Sequence, residues 1–298
     1  RLRLMEWNTI TITLIVGVGA VIGFMAGMFG VGGGFLLVPL LNIFLGVPIP
    51  TAVGSVTCFI LGPSTTAVLT RRPTTGILQL PLILLGGLVV GIVIGSHSLA
   101  HIRSAETVDL WGRPIQVTDF AVLSSYAVVM SGILFIAVRA AVSQSETPRR
   151  ALFSHLMIPP VADLTSLSPS RHSIPLIAWT GLGVGFLSGF LGISGGLILI
   201  PILTSLMGIR VKESVTISIV IVWIVSFGST AAHAVHGNID LGIVMLLLLG
   251  GTVGARLGAE VGMKISIRKL RMGFAGVVAV SLFIVCGRLA QLWIKAGN

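Results

Sequence analysis

The chain is a succession of apolar stretches, and its charged residues fall mostly in the gaps between them. The stretches run at about residues 9–29, 34–47, 52–70, 78–96 and 120–142, then 174–191, 195–207, 214–235, 239–261 and 273–294. A helix needs about 20 apolar residues to cross a bilayer, so most of these stretches are long enough, and the chain has to fold in lipid. Composition agrees. Of 298 residues, 54% are hydrophobic and 9% charged, against roughly 25% charged in a soluble domain, and mean hydropathy is +1.06. The fold class that follows is an all-α polytopic membrane protein.

The net charge of +10 does not point to nucleic acid, because the basic residues are dispersed between apolar runs rather than forming a water-facing stripe. Cys58 and Cys286 both lie in apolar runs without metal-ligand spacing, so buried free thiols are expected, with no metal and no cofactor. The first apolar run is long and lacks a small-residue cleavage site, so it reads as a membrane segment rather than a cleaved signal. A start at Arg1 rather than Met suggests a trimmed N-terminus.

The sequence repeats itself. At a shift of 162, Gly19, Gly23, Gly27, Gly30, Gly33, Gly34 and Pro39 fall on Gly181, Gly185, Gly189, Gly192, Gly195, Gly196 and Pro201. At a shift of 163, Gly87, Gly91 and Gly95 fall on Gly250, Gly254 and Gly258. Internal repeats are common in transporters, and this one divides the chain into repeats at 1–142 and 174–298. A Ser/Pro/Arg-rich cytoplasmic linker at 143–173 joins them, with a short surface helix expected at "HLMIPP". The glycines spaced by four suit close helix packing in lipid.

Each half holds about five segments. The second is too short to cross alone and pairs with the first as a broken or re-entrant hairpin. That pair uses an even number of half-passes, and the three remaining segments make each half odd. Two odd halves in series have opposite orientations, so the repeats are expected to be inverted. The positive-inside rule then places both termini outside. Arg71, Arg72, Arg149, Arg150, Arg171, Arg210, Lys212, Lys264, Arg268, Lys269 and Arg271 face the cytoplasm, while Arg1, Arg3 and Lys295 run against the rule.

Glycine costs about 1 kcal/mol in a helix interior, yet four glycines crowd into residues 30–34, and the pattern returns at 192–196. Irregular backbone at membrane depth persists only where protein buries it or it lines a wet cavity. A Gly-rich turn leading into a new helix aims free N–H groups and a positive dipole end at one point, a place for an anion. Inverted halves would bring two such turns together near the midplane. Gly32, Gly33, Gly34 and Phe35 would line the site from one side, and Ser194, Gly195 and Gly196 from the other. Neither loop is a phosphate-binding P-loop, since no Gly-Lys-Ser/Thr follows.

"GMFGVGGGFLLVPLL" and its echo "GFLGISGGLILIPIL" resemble the sulfite exporter TauE/SafE family, also called the 4-toluenesulfonate uptake permease family. The resemblance covers roughly residues 12–96 and 175–272. It implies a transporter, not an enzyme, in a bacterial inner membrane, moving sulfite, sulfonates or related small anions. The family often shows a Thr-Ser pair early in the third segment, where this chain reads "VGSVT" and "TISIV", so selectivity is expected to differ.

Further polar residues lie within the apolar segments. Asn42 and Thr204 occupy matched positions and could contact cargo. Ser55 and Ser218 join them as binding candidates. Thr57, Ser64, Thr65, Thr66, Ser226, Ser229 and Thr230 offer neutral donors along a path, and Pro63 breaks the local hydrogen-bond ladder. His233 and His236, beside Asn238 and Asp240, read as an interfacial cap or a proton-coupling site. Arg256 and Glu260 are spaced for a local ion pair, with anion attraction an alternative for Arg256. Lys264 to Arg271 are expected to meet anionic lipid headgroups.

Three functions fit these residues. A secondary carrier suits paired broken helices in inverted repeats. An anion channel could use the same site. An intramembrane serine protease would need Ser194 activated by His233 or His236, but the first repeat has glycine at the serine's position, the matched anion loop needs no nucleophile, and the rest of that pattern is absent.

Overall fold

The computed structural model describes residues 9–103, 108–109, 114–115, 117–142, 158–163 and 171–295. The first helices are α1 (Thr9–Phe29), α2 (Gly34–Leu45), α3 (Ile49–Arg71), α4 (Gln79–Arg103) and α5 (Val117–Val142). They are followed by α6 (Ile174–Leu191), α7 (Gly196–Pro201), α8 (Val211–Val235), α9 (Leu241–Lys264) and α10 (Ile267–Lys295). A π-helical turn, Ile202–Leu206, continues α7. Among the described residues, eight helices are long and apolar enough to cross a membrane, and two shorter apolar ones, Gly34–Leu45 and Gly196–Ser205, follow the glycine-rich breaks.

Local chemistry sets the boundaries. Gly33 and Gly195, the residues before α2 and α7, have φ of 75° and 74°, a left-handed geometry that glycine adopts without a Cβ penalty. Pro48 precedes α3, which has Pro50 in its first turn, where a missing N–H costs nothing. Asp240 caps α9, its Oδ1 accepting from Gly242 N at 2.9 Å and Ile243 N at 3.2 Å.

Some expectations need correction. α10 begins at Ile267, so Arg268, Lys269 and Arg271 ride on its first turns instead of preceding it. Cys286 is exposed on α10 and Cys58 half-buried, though both are free thiols. Of "HLMIPP", residues 158–160 form a bend rather than a helix, while 155–157 lie outside the described residues, as do Arg1, Arg3, Arg149 and Arg150. Two short antiparallel ladders were not anticipated: β1 (Val108–Asp109) with β2 (Pro114–Ile115), and β3 (Val161–Asp163) with β4 (Arg171–Ser173).

The dominant packing exchanges elements between the two halves of the sequence: α1 lies along α9, and α4 along α6. A Cβ on Gly23 would overlap the main chain of Gly251, and one on Gly91 would stand 2.6 Å from Phe186 N. Small residues let these backbones touch, which holds helices together in lipid, where apolar side chains gain nothing by leaving solvent.

Contacts also order the ends of the bundle. At one end the end of α3 meets the end of α9, Gly262 lying against Arg71. There Arg271 of α10 donates to Ala140 O of α5 at 3.3 Å. Arg271 and Val211, at the start of α8, also line one cleft. At the other end Asp240 N donates to Ser55 Oγ near the start of α3 at 2.8 Å. His97 of α4 packs edge-on to His236, just past α8, with centroids 5.3 Å apart. α3 and α8 therefore run in opposite directions, as do α4 and α9.

Backbone hydrogen bonds repeat at the 162-residue spacing. Gly30 N donates to Ala26 O and Gly192 N to Ser188 O, each at 2.8 Å. Leu36 and Leu37 donate to Gly33 O as Ile198 and Leu199 donate to Gly195 O, and Val47 to Leu41 O as Ile209 to Leu203 O.

Candidate functional site

The two glycine-rich loops touch. A Cβ placed on Gly32 would lie 3.1 Å from Ser194 Cβ and 3.0 Å from Val222 Cγ1. One on Gly196 would stand 2.6 Å from Gly30 O, and one on Gly34 would overlap Gly192 O. Gly34 and Gly196 thus serve the approach of one loop to the other. The junction is buried: Val31, Phe35, Ile60, Ile193 and Ser194 are each 0% exposed.

The donors at this junction are main-chain amides. Among the described residues, those from Val31 to Phe35 donate to no backbone carbonyl, nor do those of Ile193, Ser194 and Gly195. Unpaired buried N–H groups are rare in folded proteins. Ser194 adds two unusual features. Its φ is 58°, in the left-handed region, and its buried hydroxyl has no partner among the described residues. Strain of this kind persists only where the surroundings impose it, and it clusters at functional sites.

Ser218 is at this junction too, its Oγ donating to Gly30 O at 2.7 Å. The other binding candidates are held elsewhere. Ser55 accepts from Asp240 N at 2.8 Å. Asn42 donates to Val47 O at 3.0 Å and accepts from Arg288 Nε at 3.2 Å, which ties the end of α2 to α10. Thr204 bonds Ile200 O in its own helix at 2.7 Å and lines a cleft with Phe29, Pro201, Val215, Arg271 and Phe274. The rings of Phe29 and Phe274, both lining it, have centroids 6.2 Å apart, and a Cβ on Gly30 would lie 2.9 Å from the carbonyl oxygen of Val215, another lining residue.

The hydroxyls of α3 turn back on their own helix: Thr57 to Gly54 O, Ser64 to Ile60 O, Thr65 to Leu61 O and Thr66 to Gly62 O. Thr65 also accepts from Trp223 Nε1 at 2.9 Å. In the second half the hydroxyls are less committed. Ser229 pairs with Ser188 at 2.9 Å, while Ser226 Oγ and Thr230 Oγ1 are buried without a partner among the described residues. Arg256 and Glu260 form an exposed pair at 3.4 Å. His236 meets His97 edge-on. His233 is buried with Nε2 3.0 Å from Gly189 O. Ser194 therefore pairs with neither histidine, and among the described residues nothing takes the proton of its hydroxyl.

Several contributors escaped the sequence reading. Arg71 Nη2 donates to Gly27 O and Met28 O at 3.1 and 3.2 Å. Tyr126 OH bonds Leu191 O at the end of α6. A signal for Tyr126 existed: it is the chain's single tyrosine, inside an apolar run where its hydroxyl needs a partner.

The model of a protein family described as "Sulfite exporter TauE/SafE" matches residues 15–284. A probable membrane transporter protein, MJ0441, of Methanocaldococcus jannaschii is 23% identical over 278 residues, covering 90% of this chain and 92% of that protein. A probable membrane transporter protein of Xylella fastidiosa is 24% identical over 287 residues, covering 95% of this chain and 98% of its own. YunE of Bacillus subtilis, also named a probable membrane transporter protein, is 22% identical over 270 residues, covering 87% and 91%. No solved structure matches the chain.

Proposed function

Because this chain belongs to the sulfite exporter TauE/SafE family, and is a multi-pass membrane transporter rather than an enzyme, we propose that it is a secondary carrier for a small sulfur-containing anion in the bacterial inner membrane. The anion, sulfite or a sulfonate, is held between the two glycine-rich loops by main-chain amides, with the Ser194 hydroxyl as a further donor. The observation that carries this reading is the junction itself: two loops in contact, with buried amides and a strained serine hydroxyl that no group among the described residues accepts from. Neutral donors suit a carrier, because they bind an oxyanion without the deep trap a fixed buried cation would make.

The two halves are read as inverted repeats, with their boundaries in the segment 143–173 and both termini outside. Support comes from the hydrogen bonds repeated 162 residues apart, from the opposed directions of α3 and α8, and from the basic ends gathered at one face. On that face the cleft beneath Arg271 leads toward Gly30. It provides the cytoplasmic approach, closed by the Phe29–Phe274 contact, and Lys264 to Arg271 beside it meet anionic headgroups.

The test is counterflow of labelled sulfite and of ethanesulfonate in proteoliposomes. The wild-type protein exchanges at least one of them, and Gly33→Leu, which places a side chain at φ 75° against Ile22, abolishes exchange while the protein still purifies as a folded species. Unaltered exchange in Gly33→Leu removes the loops from the site. A channel would show conductance without counterflow.

A further inference from the structure

Arg71 and His233 are 162 residues apart and perform the same task at opposite ends of the bundle. Arg71, at the end of α3, holds Gly27 O; His233, at the end of α8, holds Gly189 O. Gly27 and Gly189 are themselves a repeat pair, and each lies in the last turn of the helix that enters a glycine-rich loop. A helix C-terminus carries a partial negative charge and favours a cation. The first half therefore has a permanent cation where the second has an imidazole.

The geometry fixes the tautomer of that imidazole. A carbonyl oxygen only accepts, so the Nε2 facing Gly189 O carries the hydrogen, and in the neutral ring the lone pair is on Nδ1. Nδ1 is buried and, among the described residues, has no partner. We infer that His233 is the coupling-ion site of the carrier: its Nδ1 takes up one proton per transport cycle from the side where α8 ends. This rests on the carrier reading above. Protonation forms an Nδ1–H bond, keeps the Nε2–H···O=C bond, and gives the second half the charge that Arg71 gives the first. A proton has a stepwise way in, from exposed His97 to half-buried His236, in ring contact with it, to buried His233 three residues earlier. Beyond His233 the same face of α8 continues through Ser229, Ser226 and Val222 to Ser218 at the loop junction, a distance of about 22 Å at the helical rise.

The groups that bear on His233 are few. α8 contributes His236 and, at its far end, Lys212 and Glu213; α4 contributes His97 and His101; Asp240 opens α9; α3 carries Cys58 and Arg71; and α6 has no ionisable side chain between Ile174 and Leu191. A charge acquired by His233 lowers the cost of an anion in the low-dielectric loop junction, and by linkage the bound anion raises the affinity of His233 for its proton.

The test uses ethanesulfonate, whose acid is ionised throughout the assay range, so any proton movement is carried by the protein. In proteoliposomes loaded with a pH-sensitive dye, inward ethanesulfonate flux acidifies the lumen. His233→Gln, whose amide still donates to Gly189 O, reduces that acidification roughly tenfold while counterflow persists. Equal acidification in His233→Gln overturns the inference. Counterflow in the wild type tests the carrier reading separately. Nitrogen-15 histidine spectra of the purified protein decide the site even without transport. A resonance missing in His233→Gln shows Nε2 always protonated and Nδ1 gaining its proton when ethanesulfonate is added; an Nδ1 that never takes up a proton, with or without ethanesulfonate, overturns the proposal.

Discussion

Gly32 and Ser194 face each other where the two broken helices meet, a Cβ on the glycine falling 3.1 Å from that of the serine. They occupy equivalent positions 162 residues apart, so the proposed site is asymmetric at its centre: one side offers only backbone, the other a hydroxyl. The serine holds φ of 58°, a conformation that costs a non-glycine residue about 1–2 kcal/mol.

Ser194→Gly is therefore expected to stabilise the protein and weaken it as a binder. Its melting temperature rises, and its affinity for the transported anion falls about tenfold, the equivalent of one hydrogen bond to a charged group. Thermal unfolding with and without anion measures both.

Packing of α1 on α9 predicts a contrast between two glycines on one helix. Gly23→Ala drives a methyl group into the main chain of Gly251 and should cost about 1–3 kcal/mol, as overpacking usually does. Gly17→Ala has nothing within 4 Å and should be neutral or gain up to about 1 kcal/mol from helix propensity. Unfolding in detergent compares the pair.

Ser218→Ala strips Gly30 O of its 2.7 Å donor. A buried acceptor left unpaired costs about 1–3 kcal/mol, and the first loop should loosen. Transport falls, with amide exchange accelerating at residues 30–34 more than at the far end of α1.

The Arg256–Glu260 pair is exposed, with side chains 73% and 44% accessible. Exposed pairs contribute about 0–1 kcal/mol, so Arg256→Gln should leave stability and transport rates within error of the wild type. A substantial loss of anion uptake would return Arg256 to the transport path.

Much of this architecture could be read from hydropathy and glycine spacing. α1 ends at Phe29 and α6 at Leu191, where the apolar runs give way to glycine, because a chain in lipid has few other places to break. The side-chain roles were harder. Thr57, Ser64, Thr65 and Thr66 look like a polar path in one dimension, but a hydroxyl in a helix can satisfy itself on a carbonyl three or four residues back, and all four do. Asn42 and Ser55 are spent on chain reversals. Arg71 counted only as a loop charge, although its 162-residue offset from His233 was already present in the sequence. Such a pairing acquires meaning only when both side chains are seen to reach repeat-related carbonyls.

The exchange of α1 and α6 between the halves has a consequence for biogenesis. α1 leaves the ribosome more than 200 residues before α9, roughly 10–50 s earlier at ordinary synthesis rates, and its glycine face has no partner in the bilayer during that interval. The nascent first half is thus an incomplete object that the translocon or a lipid annulus must shelter. If the chain were severed between α5 and α6, neither fragment would mature by itself, while co-translated fragments would find each other and restore a working molecule.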